Sequence, residues 1–88
     1  MKVKLKFFAT LREKFGKELE VECDGTLEGA FRAAAEKIGE DFLREVFDDS
    51  GKLRDDRIIL VNGRNVKDEE PKLEEGATIA IFPPVAGG

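Results

Sequence analysis

The chain of 88 residues contains no histidine and only one cysteine. Without histidine, Ser-His-Asp and Cys-His nucleophile systems are excluded, and so are most zinc sites; no metal site is expected. Cys23 cannot close an internal disulfide, which fits a reducing compartment. Glutamine and tryptophan are absent too, while Lys, Glu and Arg are plentiful, a bias typical of proteins from very hot habitats. No apolar run approaches the roughly 18 residues of a membrane span, and the opening MKVKLKFF reads as a strand rather than a signal peptide. A cytoplasmic location follows as the expectation. The net charge is −4 with Lys and Arg interspersed among acids, so no basic stripe marks a nucleic-acid or membrane partner. The acidic tracts Asp48-Asp49 and Asp68-Glu69-Glu70 read as solvated loops.

What is present fits one small domain. Apolar residues make up 41% of the chain, enough for a single core but not for two. Val3, Leu5 and Phe7 alternate with Lys2, Lys4 and Lys6, the period of a half-buried strand. The segment 10–15 is a short helical turn closed by Gly16. A second strand over 17–23 places Leu19, Val21 and Cys23 on one face, which makes Cys23 a core side chain rather than a reactive thiol. Thr26 is a natural N-cap for the main helix, whose Leu27, Ala30, Phe31, Ala34 and Ile38 form an apolar stripe ending at Gly39. Gly29, inside that helix, is read as allowing close packing on a sheet.

A shorter helix is expected over 41–47, a polar loop over 48–56, and an apolar strand over 57–62. Asn62-Gly63 is a hairpin turn leading to a short strand near Asn65-Val66, and 77–82 is the last strand. Two strands, a helix, a shorter helix and three strands predict an α+β fold. A mixed sheet of about five strands crossed on one face by a long helix satisfies that order: the β-grasp arrangement, residues 1–82. Residues 83–88 remain as an extended tail.

That tail, Pro83-Pro84-Val85-Ala86-Gly87-Gly88, carries the functional information. Consecutive prolines lack amide donors, favour polyproline II geometry, and push the chain off the sheet edge. Six extended residues at about 3.1 Å each reach roughly 18 Å. Gly87 and Gly88 have no side chains, so this end is expected to fit a narrow channel leading into a partner's deep site. The Gly88 carboxylate is a poor electrophile until adenylation by an ATP-using partner supplies a leaving group. Sulfur then replaces AMP to give a thiocarboxylate nucleophile. The chain itself binds no cofactor in this scheme and needs no side chain as acid, base or ligand.

The whole chain resembles the MoaD and ThiS group of β-grasp sulfur carriers, relatives of ubiquitin. The resemblance rests on the ending Phe82 to Gly88 (FPPVAGG), the opening Phe7 to Glu13 (FFATLRE), and Val61-Asn62-Gly63. It implies the sulfur-carrying small subunit of molybdopterin synthase, a subunit without turnover of its own. Gly88 would be activated by a ubiquitin-activating-like adenylating enzyme. It would then be docked into the large synthase subunit, giving sulfur to the pterin precursor of the molybdenum or tungsten cofactor. Two other uses stay open: a protein tag or tRNA-thiolation donor with the same tail, and a β-grasp binding module whose tail is incidental.

With first and last strands side by side, Phe8 and Phe82 are expected together on the face the helix leaves open, widened by the strand Ile58 to Val61. That face is read as a partner interface, against the alternative that loops cover the rings. Arg12 is either a further partner contact or a solvated surface arginine. The composition predicts a melting temperature above about 65 °C, checked by calorimetry; a lower value removes the hot-habitat reading.

Overall fold

The alternation of Val3, Leu5 and Phe7 with lysines is realised in the computed structural model, which describes residues 1–68, 71 and 73–84. β1 spans Lys2–Phe7 and buries Val3, Leu5 and Phe7. It is followed by α1 (Thr10–Phe15), β2 (Glu18–Glu22), α2 (Leu27–Ile38) and α3 (Asp41–Val46). The remaining elements are β3 (Ile58–Val61), β4 (Arg64–Asn65) and β5 (Thr78–Phe82). The five strands form one mixed sheet in the order β2-β1-β5-β3-β4. β1 runs parallel to β5, and the other neighbours are antiparallel. This is the predicted α+β, ubiquitin-like β-grasp fold. The expected turn at 10–15 is a third, six-residue helix. β2, β3, β4, β5 and α3 differ from expectation by a residue or two at their ends.

The helices cover one face of the sheet. Val3, Leu5, Phe7, Val21, Ile59, Ile79 and Ile81 meet Leu27, Ala30, Phe31, Ala34, Phe42 and Val46, all buried. Phe42 is the hub, with the rings of Phe7, Phe15 and Phe31 set edge-on at 5.5–5.7 Å between centroids. Such tilted pairs suit the ring quadrupoles and add roughly 0.5–1.5 kcal/mol each beyond area burial.

The main helix starts as its sequence dictates. Thr26 Oγ1 accepts from the Gly29 amide at 2.9 Å, and the Thr26 hydroxyl donates to Asp24 Oδ1 at 2.6 Å. Gly29 has a different reason from the expected one. A Cβ there would lie 2.1 Å from Asp24 Oδ1 and 2.9 Å from Thr26 Oγ1, so glycine makes room for the cap, not for the sheet. Cys23 lies just past β2 and is half-buried against the core rather than within it. At Asn62-Gly63 both residues have positive φ (51° and 86°), the geometry of a two-residue hairpin turn, as predicted.

Two devices manage exposed sheet. On the open face, Lys2, Lys4 and Lys6 stand opposite Glu22, Glu20 and Glu18 across the β1–β2 pair. At the free edge, Lys37 of α2 reaches over and donates to the Glu20 carbonyl at 3.1 Å.

Hydrogen bonds hold three aspartates below their ordinary range: the Thr26 side chain acts on Asp24, the Ser50 side chain on Asp48, and the Arg54 side chain on Asp56. Carboxylates lowered on folding contribute stability above the unfolded value of about 3.9, and lose it as pH falls through the folded values. No histidine titrates between them and neutrality. Denaturant melts at stepped pH therefore yield a plateau from about pH 5 to 7 and a decline that starts only below about pH 4. A decline already under way at pH 6 contradicts this assignment.

Candidate functional site at the end of the last strand

The parallel pairing of β1 with β5 sets Phe7 beside Ile81, and the next step brings Phe8 to Phe82. Their rings stack 4.3 Å apart and 10° from parallel, on the face opposite the helices. β3 adds Ile58, the Cα partner of Phe82 and 43% exposed, and the half-buried Leu60, partner of Ala80. The expected juxtaposition of Phe8, Phe82 and the β3 side chains is therefore present. It forms an apolar strip along β5 and β3, beside the lysine–glutamate ladder of β1 and β2.

Pro83 and Pro84 continue from Phe82 without strand structure, Pro84 exposed. Val85, Ala86, Gly87 and Gly88, the rest of the predicted tail site, lie outside the described residues. Arg12 is exposed on α1, and among the described residues no carboxylate pairs with it. Those described residues also contain no group of three His, Cys, Asp or Glu side chains placed to hold a metal.

Two residues at this end of the sheet escaped sequence reasoning. Ala9, between Phe8 and α1, has φ 54° and ψ −128°. Only glycine adopts that region without strain, so the conformation costs on the order of 1–3 kcal/mol. That is comparable with the roughly 0.5–1.5 kcal/mol an aromatic stack adds beyond burial. Nothing about an alanine announces such a turn. Arg57, just before β3, turns its side chain inward and is 9% exposed. Its Nη2 donates to Glu45 Oε1 at 3.1 Å, and Glu45 Oε2 lies 3.5 Å from Lys14 Nζ. Arg57 Nη1 is 3.1 Å from Asp56 Oδ2, but no hydrogen bond is aligned there or at Nε, so that contact is purely electrostatic. The pairs tie α1, α3 and the loop into β3 together. The signal existed: Arg57 shares the inward phase of Ile59 and Val61.

A shallow groove on the helix side, lined by Leu43, Phe47, Arg44 and Arg54, is mixed in charge. Its arginines, which also include Arg32, are already engaged: Arg32 by Glu28 at 3.0 Å, Arg44 by Asp41 at 3.8 Å and Arg54 by Asp56 at 2.9 Å, so it points to no ligand chemistry.

Residues 5–88 match the ThiS family. The chain belongs to that family. It is 32% identical over 94 residues to small archaeal modifier protein 3 of Haloferax volcanii, with both chains covered in full. The crystal structure of SAMP1 from Haloferax volcanii is similar at TM-score 0.80 and 32% identity, again over the whole of each chain. A putative molybdopterin converting factor, subunit 1, from Pyrococcus furiosus shares 36% identity at TM-score 0.67, over 96% of this chain and 98% of that one. Modifier and cofactor-pathway relatives thus share this fold. Among the described residues, no helix is long and apolar enough to cross a membrane.

Because the Phe8–Phe82 pair lies on the open face, Phe8→Asp keeps a cooperative thermal transition and near-native circular dichroism. Phe42→Asp, at the hub of the ring cluster, loses both. A Phe8→Asp chain that fails to fold would put Phe8 in the core and remove the face as a candidate interface.

Proposed function

We propose that this chain is a ubiquitin-like protein modifier whose reactive group is the carboxylate of Gly88. An adenylating partner of the ubiquitin-activating type transfers AMP from ATP to that carboxylate and releases pyrophosphate. A lysine ε-amine of a target protein then attacks the acyl-adenylate. The C–N bond forms, the C–O bond to AMP breaks, the amine proton leaves to a base, and an isopeptide bond remains. This chain contributes presentation: Gly87 and Gly88 fit a narrow channel, and the strip of Phe8, Phe82 and Ile58 gives the partner a hold at the base of the tail. Arg12 adds an exposed cation after that strip. The reading is carried by full-length similarity to a small archaeal modifier protein in a chain ending Gly87-Gly88.

A second reading is favoured by a specific observation, the 36% identity to the Pyrococcus furiosus molybdopterin converting factor subunit. Here a hydrosulfide equivalent from a sulfur-donating partner displaces AMP, the C–S bond forming as the C–O bond to AMP breaks. The Gly88 thiocarboxylate passes its sulfur to a pterin precursor within the large synthase subunit, or to tRNA, and returns to the carboxylate. Both readings share the tail and its activation, and they part at the attacking nucleophile.

Tryptic digestion separates them. After cleavage at Lys72, a modifier leaves residues 73–88 attached through Gly88 to lysines of other proteins, and a chain lacking Gly87 and Gly88 leaves none. An oxygen-to-sulfur mass increase on the intact chain, with no such branched peptides, would replace the modifier reading by the carrier one. Unchanged activation of the truncated chain would end both.

A further inference from the structure

We propose that Ala9 is the positioning residue of the apolar face, and that the Phe8–Phe82 stack is what keeps it at positive φ. Every other described residue at positive φ is glycine, except Asn62, whose hairpin turn commonly takes asparagine. Ala9 alone carries a side chain in a region fit for glycine. The turn it makes is well defined. The Phe8 carbonyl accepts from the Leu11 amide at 3.1 Å, and the Ala9 carbonyl accepts from Arg12 and Glu13 at 3.0 and 3.3 Å.

On either side the chain is pinned, since Phe7 is 1% and Leu11 2% exposed. Between these anchors lie Phe8, Ala9 and Thr10. Thr10 opens α1, so relaxation of Ala9 to negative φ is taken up on the strand side by the half-buried Phe8, and its ring leaves Phe82. Strain and stack are similar in size, so the arrangement stands near balance. Removal of the Phe82 ring tips it. On the modifier reading, a partner ring that competes for Phe82 would do the same, and the root of the tail would then be coupled to the turn that leads to Arg12.

The test uses the isolated chain and stands or falls whether or not Gly88 is ever activated. The φ of Ala9 is read by NMR from its one-bond Cα–Hα and three-bond HN–Hα couplings. It is positive in the native chain and turns negative in Phe82→Ala, with Phe82→Leu as the variant that keeps apolar bulk should the alanine chain unfold. Ala9→Gly raises the melting temperature by on the order of 4–8 °C in the native background, and by less than half of that beside Phe82→Ala. A positive φ that persists in both Phe82 variants overturns the proposal. So does an Ala9→Gly chain that fails to melt higher, or that gains equally in both backgrounds.

Discussion

In the centre of the sheet β1 lies parallel to β5, and the rest of the molecule is arranged around that pair. Parallel neighbours cannot be joined by a tight turn, and all six other elements, from α1 to β4, fall in the long connection between them. The pairing buries Leu5 beside Ile79 and Phe7 beside Ile81, at the bottom of the core. It also makes both strands finish at the same end of the sheet. There Phe8 and Phe82 emerge together on the outer face, and Pro83 follows without strand structure. Core and candidate interface are thus two consequences of one register. A one-residue slip would send Phe82 inward and Ile81 out.

Much of this was legible because its causes are local and periodic. Alternating apolar positions identified the first two strands and a continuous apolar run the strand over 57–62, and Thr26 and Gly39 marked the limits of the main helix. Asn62-Gly63 specified its hairpin, and placing Phe8 beside Phe82 needed only parity and the β-grasp pairing. What stayed hidden depends on contacts distant in sequence or on backbone angles without a residue signature. Gly29 looked like a packing glycine because the Asp24 carboxylate above it is visible only once the cap has folded. Ala9 has no side-chain chemistry to betray its turn. The tail from Pro83 to Gly88 was read from its prolines, its glycines and its family resemblance, and residues 85–88 lie outside the described residues.

The open face is divided by strand. On β1 and β2 it carries three lysines opposite three glutamates, and on β5 and β3 it carries Ala80, Phe82, Ile58 and Leu60. Exposed ion pairs contribute little to stability, with a median of about 0–1 kcal/mol each. Their larger effect is to confine the apolar area to one side, next to the tail. A partner seated on that strip meets apolar side chains at the centre and a charged border on β1, the pattern of a dry interface core with a wet rim.

The lysine bridging α2 to the sheet margin has its own implication. Outer strands invite further strands, which is how β proteins template one another into fibres. With the Nζ of Lys37 on the Glu20 carbonyl, an intruding peptide finds that acceptor already occupied and a cation across its path. The two-residue β4 offers too short a ladder at the opposite margin. Association is thereby diverted from the rims to the flat of the sheet, and a crowded solution of this chain is guarded against stacking rim to rim.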